Sequence, residues 1–220
     1  MMYIHTKEYA YLLGVYLGDG YIYKRIRGNC ISYIFVIRVT DEDFTEIVSR
    51  CIRKITGKKY KISFEKPNIW KLSSYNQELS LMLFNETKKK DIIPDWLLKT
   101  NDKEILKWFI AGFLDSDGFV HLSKPLFRWK NTKKGRRQLT MGFQAIHEWI
   151  YDIVAILDKL GVKVGKKQYL KKQKEFHRQQ IRYTINYKSF VQSNCFFKLK
   201  RKQKLFEEYK KLLTEGKGKV

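Results

Sequence analysis

The spacing of apolar residues predicts a series of elements that occurs twice along the chain. The period changes from about 3.6, typical of an amphipathic helix, to two, typical of a strand. The first series is helix, hairpin, helix, hairpin, helix, at residues 7–18, 21–40, 44–55, 58–75 and 77–85. The second repeats the order at residues 102–116, 119–144, 149–160, 164–186 and 198–213. We therefore predict a mixed α/β (α+β) fold of two pseudo-symmetric αββαββα halves, residues 1–98 and 99–220, each with one antiparallel sheet.

A nine-residue motif ends the first helix of each series. It reads LLGVYLGDG at residues 12–20 and IAGFLDSDG at residues 110–118. Small residues four apart share a helix face and let a second helix approach closely; they are Gly14, Gly18, Gly112 and Ser116. If the two helices pack in parallel, Asp19 and Asp117 lie at the same end, where the last carbonyls repel carboxylates. This arrangement predicts a site for a hard divalent cation.

The charge of the chain indicates a polyanionic partner. Lys and Arg outnumber Asp and Glu 45 to 22, and the formal net charge is +23. Such a field points to nucleic acid or an anionic membrane surface. No segment has the roughly 18 apolar residues of a membrane span, and residues 1–11 do not resemble a signal peptide. We therefore expect a soluble, intracellular protein that is not secreted.

Cysteine usage and composition refine this expectation. The three cysteines are odd in number and far apart, which argues against a disulfide framework and a zinc site: Cys30, Cys51 and Cys195. The histidines show no metal-ligand spacing either. The bias towards Lys, Ile and Tyr suggests an AT-rich genome. These features fit an archaeal cytoplasm or an organelle, either mitochondrion or chloroplast.

The paired motifs resemble those of the LAGLIDADG homing endonucleases, in the single-chain form that carries both copies. The second motif is close to the family pattern. The first departs from it at Tyr16, Leu17 and Gly18, where the family often has an aliphatic residue, an acid and a small residue. One such match would be weak, but two copies followed by the same elements are specific. The resemblance covers nearly the whole chain.

This resemblance implies a monomer that straddles a long, non-palindromic DNA site. Saddle-shaped sheets would lie in the major groove, and the motif helices would form the interface over the central minor groove. Asp19 and Asp117, with the backbone carbonyls of Gly18 and Ser116, would hold Mg²⁺ at the two scissile phosphates. Mn²⁺ or Ca²⁺ would substitute, Ca²⁺ without productive cleavage. Both strands would be cut to leave short 3′ overhangs.

The resemblance also assigns supporting residues. A lysine near the phosphates is expected in each half, and we assign Lys200 in the second half and Lys90 in the first. Asp41 and His147 occupy the positions that orient water. Residues on the outward face of the predicted strands are the candidates for DNA contact: Tyr21, Tyr23, Arg25, Arg27, Ser32, Ile34, Arg38, His121, Gln138, Thr140, Gln144, Gln180, Arg182 and Thr184. The extra length of the second half is assigned to a basic insertion at residues 124–135.

Other interpretations stay open at this point. An aspartate after a helix is usually a solvated cap, although the duplication of the motif weighs against that here. Polar residues that alternate along a strand are by default a solvated sheet face. An intron RNA maturase would use the same fold and bind intron RNA, and a non-catalytic DNA-binding regulator is a third possibility. The first motif has Leu17 at the position of Asp115, so Asp115 is predicted either to support the metal-binding residues or to be structural.

Overall fold

A computed structural model describes residues 5–65, 67–123, 137–170 and 180–215. The predicted basic insertion at residues 124–135 lies outside these ranges. The described elements are α1 (Lys7–Leu17), β1 (Tyr21–Arg27), β2 (Cys30–Val39), α2 (Glu42–Thr56), β3 (Ile62–Glu65), β4 (Ile69–Ser74), α3 (Gln77–Glu86), α4 (Asp95–Lys99), α5 (Lys103–Ser116), β5 (Gly118–Leu122), β6 (Leu139–Ala145), α6 (Ile150–Lys159), β7 (Gln168–Tyr169), β8 (Ile181–Thr184), α7 (Tyr187–Gln192) and α8 (Lys200–Thr214).

The two motif helices, α1 and α5, pack side by side in parallel. A Cβ on Gly14 would lie 2.3 Å from the carbonyl oxygen of Phe109, and one on Gly112 would lie 2.1 Å from that of Tyr11. Because such distances are shorter than any real Cβ contact, a larger residue at either glycine would force the helices apart. The small residues therefore permit the close approach that the motif spacing predicts, and they bring both helix C-termini to one end.

The two sheets have the same strand order. The first sheet runs β1-β2-β4-β3 and the second β5-β6-β8-β7, with every neighbouring pair antiparallel. One face of each sheet is covered by helices and contributes to the hydrophobic core, through residues such as Phe35 and Phe143. The predicted α+β class with antiparallel sheets is confirmed.

The opposite face of the first sheet differs from the prediction at Ile34. This residue was expected to face outward, but it is 6% exposed, and Val36 on the same face is 4% exposed. Each stands directly opposite a tyrosine of β1, Ile34 opposite Tyr23 and Val36 opposite Tyr21. Side chains directly opposite on one sheet face lie within contact distance. The tyrosines therefore form the outer surface, and Ile34 contributes to the floor beneath them.

Two short helices were not predicted. One of them, α4, lies where the first half joins the second. The helix α7 follows the second hairpin of the second half, as α3 does in the first, and both begin at an asparagine. The side chains of Asn76 and Asn186 accept hydrogen bonds from the third backbone amide that follows, at 2.8 Å and 3.0 Å. No described helix is long and apolar enough to cross a bilayer.

Candidate active site

Asp19 and Asp117 lie at the joined C-termini of α1 and α5. Asp117 is the C-cap of α5, and its backbone amide donates to the carbonyl oxygen of Phe113. A Cβ on Gly18 would lie 2.4 Å from Cβ of Ser116 and 3.3 Å from Cγ of Asp117. The parallel packing of the helices therefore brings the ends of the two motifs into contact.

A lysine caps the end of each motif helix. Lys90 Nζ donates to the carbonyl oxygens of Gly18 at 2.7 Å and Leu17 at 3.3 Å. Lys202 is 2% exposed, and its Nζ donates to three carbonyl oxygens of the second motif at 2.6 Å to 2.7 Å, those of Leu114, Asp115 and Gly118. Helix C-termini carry partial negative charge, so cationic groups are stabilised there.

The lysine expected in the second half is displaced by two positions. Lys200 is exposed, and its backbone amide donates to Oδ2 of Asp43 at 2.9 Å. Lys202 occupies the end of α5 instead. Residues two apart on a helix point in very different directions because each residue turns by about 100°. A basic run in the sequence does not reveal which of its lysines faces inward, and the structure shows that it is Lys202.

Burial raises the pKa of both carboxyl groups, and the charge of Asp19 adds to the rise at Asp117. Burial first, and then the charge of Asp19, raise the pKa of Asp117 to about 6, against the opposing effect of Lys90 and Lys202. Asp19 is open to solvent at one side, but the surrounding protein displaces enough water to raise its pKa as well. Burial lowers the pKa values of Lys90 and Lys202 to about 8. Keeping these four side chains charged in the folded protein therefore costs free energy.

These groups fit a divalent cation. Burial raises the pKa of both carboxyl groups, and a nearby cation stabilises their charged forms. The carbonyl ends of both helices already attract ammonium groups, and the Gly18 carbonyl predicted as a ligand accepts from Lys90. The described residues contain no cluster of three or more His, Cys, Asp or Glu side chains suited to a metal. The remaining ligands would therefore be carbonyl oxygens and water, which Mg²⁺ accepts.

The two predicted water-orienting residues have different surroundings. Asp41 and His147 each stand two residues beyond the end of a central strand, β2 and β6. Both oxygens of Asp41 accept from Nε of Arg201, at 2.9 Å and 3.0 Å. The imidazole of His147 stacks on Trp149 with 5.4 Å between ring centroids. Sequence reasoning missed Arg201, which lies within the basic run that begins α8.

Asp115 is a buried carboxyl group that links the end of α5 to neighbouring elements through hydrogen bonds. It is 2% exposed, and its Oδ2 accepts from the hydroxyl of Tyr11 at 2.8 Å and from the amides of Lys198 and Leu199 at 3.0 Å and 3.2 Å. These bonds join α5 to α1 and to the start of α8. Leu17, at the matching position of the first motif, is a core residue. At this motif position the two halves therefore differ in structure as well as in sequence.

The outer face of the first sheet forms a groove of about 540 Å³. Five predicted DNA-contact residues line it, namely Tyr21, Tyr23, Arg25, Ile34 and Arg38, together with Lys71, Ser73 and Tyr75, which the sequence did not single out. Arg38 and Lys71 both pair with Glu65, at 3.2 Å and 2.9 Å. Arg27 and Ser32 lie near the hairpin end of the same face.

The outer face of the second sheet is more polar. His121, Gln138 and Thr140 are exposed, and Gln144, Gln180, Arg182 and Thr184 are half-buried. Arg182 donates to Oε1 of Gln144 at 3.0 Å, and its guanidinium lies 5.1 Å from the ring centroid of Phe119. Phe119 was not predicted as part of this face. Its place follows from the register, which puts it opposite Gly142.

Curated relatives cover only part of the chain. No family model matches it. The uncharacterized protein MJ0398 of Methanocaldococcus jannaschii is 34% identical over 123 residues, which are 54% of this chain and 41% of that protein. The uncharacterized protein MJ0314 of the same organism is 29% identical over 121 residues, or 54% and 44%. The chain covers less than half the length of these two relatives.

Solved structures match most of the chain. I-DmoI in complex with DNA and Ca is 20% identical, with a TM-score of 0.54 over 84% of this chain and 86% of that one. The meganuclease I-SmaMI bound to uncleaveable DNA is 13% identical, with a TM-score of 0.60 over 96% and 92%. The LAGLIDADG meganuclease I-AabMI bound to uncleaved DNA is 10% identical, with a TM-score of 0.57 over 96% and 93%.

This chain has the LAGLIDADG homing-endonuclease fold. The resemblance stated from the two motifs is thereby confirmed, including the presence of both motif copies in one chain. In this LAGLIDADG fold, the contact between α1 and α5 is the interface between the two motifs. The paired aspartates and the two lysines lie at one end of that interface.

Proposed function

We propose that this protein is a metal-dependent, site-specific endonuclease that cuts both strands of duplex DNA. The observation that carries the proposal is the convergence of two aspartates and two lysines at the joined ends of the motif helices. The net charge of +23 favours a polyanionic substrate. The I-DmoI, I-SmaMI and I-AabMI structures of the same fold contain bound DNA.

The carboxylates of Asp19 and Asp117 would hold the metal, together with the carbonyl of Ser116. The carbonyl of Gly18 would join them through its second lone pair, because it already accepts from Lys90. Structures of I-DmoI were solved with Mg, Ca or Mn, which supports a divalent ion here. A divalent ion lowers the pKa of an attacking water and stabilises negative charge on the phosphate and leaving oxygen.

The two lysines supply fixed positive charge beside the scissile phosphates. With pKa values of about 8, Lys90 and Lys202 are mostly protonated at pH 7. Negative charge accumulates on phosphate oxygens during phosphodiester cleavage, and prepositioned cations stabilise it without further reorganisation. Lys90 is better placed for this role, because two of its three N–H groups have protein acceptors whereas Lys202 uses all three.

The outer faces of the two sheets would hold the DNA on either side of this centre. Arginine and glutamine side chains on these faces donate to base edges and phosphates, and the tyrosines present apolar surface. The second face offers the Arg182 and Gln144 pair, and the first offers Arg25 and Tyr23. Binding through several phosphates makes affinity fall steeply with salt, with a log–log slope of about −0.9 per phosphate neutralised.

Selection from random DNA tests the proposal without knowledge of the target. Duplexes that bind the protein in Ca²⁺ are enriched from a randomised library and then offered with Mg²⁺. We expect the wild type to cut both strands of a selected duplex. Asp19→Asn and Asp117→Asn should each keep binding in Ca²⁺ but cut at least about 10²–10³-fold more slowly, because each removes a carboxylate from the charge-stabilising centre.

Asp95→Asn is the matched control, since Asp95 is an exposed aspartate in α4 that pairs with Lys99. It should cut like the wild type. The proposal is overturned if the wild type leaves all selected duplexes intact in Mg²⁺, or if either motif variant cuts at the wild-type rate.

A further inference from the structure

Lys90 ends a strained stretch of backbone. Lys88, Lys89 and Lys90 have φ angles of 44°, 63° and 75°. This left-handed region is unfavourable for residues with a Cβ, and a run of three is held only when the surroundings fix it. The direction of the Lys90 side chain towards the end of α1 therefore depends on the groups that brace this backbone.

One brace comes from the same half. The hydroxyl of Thr87 accepts from the amide of Lys90 at 3.2 Å, and the backbone carbonyl of Thr87 accepts from the amides of Asp91 and Ile92 at 2.9 Å and 3.1 Å. Thr87 is fully buried, and its hydroxyl also donates to Leu83 at 2.8 Å. These bonds join Thr87 to the three residues 90–92 and so close the turn that contains Lys90.

The other brace comes from a distant part of the chain. The indole Nε1 of Trp149, at the start of α6, donates to the backbone carbonyl of Lys90 at 2.8 Å. Trp149 is 3% exposed, and its ring stacks on His147 and packs edge-on against Phe113 of α5, with 5.6 Å between centroids. Because the indole is fixed by these contacts, the carbonyl that it binds is fixed as well.

We propose that Trp149 is a positioning residue that orients Lys90 at the cleavage centre. This inference rests on the proposed function. The indole holds the Lys90 carbonyl, the turn holds its amide, and the ammonium group is thereby directed to the Gly18 carbonyl beside Asp19. The β6–α6 turn of the second series thus orders a lysine of the first.

The substitution Trp149→Phe removes the N–H donor and keeps an aromatic ring. We expect single-turnover cleavage in Mg²⁺ to slow roughly tenfold to a hundredfold, since small misplacements of a catalytic group have effects of this size. The Kd for the selected duplex in Ca²⁺ should stay unchanged. The matched control is Trp96→Phe, whose indole donates to Glu86 at 3.0 Å and stacks on His5 near the start of α1. Equal rates for the two variants would overturn the inference.

A double-mutant comparison separates positioning from general damage. If Trp149 acts through Lys90, Trp149→Phe should add little to the slowing caused by Lys90→Met. A full additional effect in the Lys90→Met background would mean that the indole acts by another route, against the proposal. Thr87→Val keeps the side-chain shape but removes the hydroxyl that accepts from the Lys90 amide, and it should slow cleavage in the same non-additive way.

A readout independent of DNA keeps this inference distinct from the proposed function. Hydrogen exchange of the amides at residues 89–92 should be faster in Trp149→Phe than in Trp96→Phe, with equal exchange in α8. Unchanged exchange at residues 89–92 would contradict the bracing role even if the wild type cuts DNA. Faster exchange with a wild type that cuts nothing would support the bracing role and refute the endonuclease proposal.

Discussion

The two halves place a lysine at the same kind of position by different means. Lys202 belongs to a regular helix, α8, and its ammonium group donates to three carbonyl oxygens. Lys90 belongs to a left-handed turn, and its ammonium group donates to two. The hydrogen bonds of a helix fix the backbone that carries the side chain, whereas the backbone of the turn is held by bonds from Thr87 and Trp149. The equivalent sites therefore differ in rigidity and in spare hydrogen-bonding capacity.

The largest expected difference between the halves is in stability. Lys202→Met leaves three largely buried carbonyls without their donor and should lower the free energy of unfolding by about 3–5 kcal/mol. Lys90→Met leaves two at a more open position and should cost about 1–2 kcal/mol. Urea unfolding of the metal-free protein at pH 7 measures both. Equal losses would show that the two caps are equivalent.

The pH dependence of stability should also separate the halves. In the folded state the pKa of Asp117 is about 6, above the ordinary value of 3.8 for an aspartate side chain. The folded state therefore binds the proton more tightly, and stability falls as the pH rises from about 4 to 6. A shift of this size corresponds to about 3 kcal/mol.

Asp117→Asn should remove this fall, and Asp19→Asn should remove less, because Arg201 together with Lys202 and Lys90 opposes the rise at Asp19. Chemical denaturation in EDTA between pH 4 and 7 gives the slopes. A larger change in Asp19→Asn than in Asp117→Asn would reverse this ranking of the two carboxyls.

The architecture was predictable because hydrophobic period and duplication act over many residues. The paired motifs and the hairpins each occur in both halves. The start of α5 is marked by Asp102, whose side chain accepts from two amides of the first turn. The short helix α7 was missed because six residues do not establish a period.

The site was predictable only in part. Asp19 and Asp117 follow from the motif, but the choice of Lys202 over Lys200 depends on the rotation of α8 about its axis. The contact of Trp149 with Lys90 joins residues 59 apart through a backbone carbonyl. Since every residue has a backbone carbonyl, no side-chain pattern in the sequence indicates which one a tryptophan will bind.

The two sheet faces should contribute unequally to DNA affinity. Arg182 lies against Gln144 and Phe119, without a carboxylate partner in the described chain, whereas Arg38 pairs with Glu65. Arg182→Ala should weaken binding in Ca²⁺ by about 1–3 kcal/mol, the usual worth of a specific base contact. Arg38→Ala should weaken it less, because Glu65 already offsets the charge of Arg38. Titration of a selected duplex at one salt concentration compares them, and an equal or larger loss in Arg38→Ala would contradict this ranking.

The smallest expected effect concerns the residues that follow the central strands, Asp41 and His147. Asp41 pairs with Arg201, with side-chain exposures of 21% and 58%, whereas the surface pair Lys99 and Asp95 is 77% and 78% exposed. Arg201→Met should lower stability by at most about 1 kcal/mol at low salt, and Lys99→Met by less, because water screens the more exposed pair. The difference should vanish in about 1 M KCl, where the Debye length is about 3 Å. If the difference in stability persists at high salt, Arg201 stabilises the first half through packing of its side chain. The difference between the surroundings of Asp41 and those of His147 is then not electrostatic.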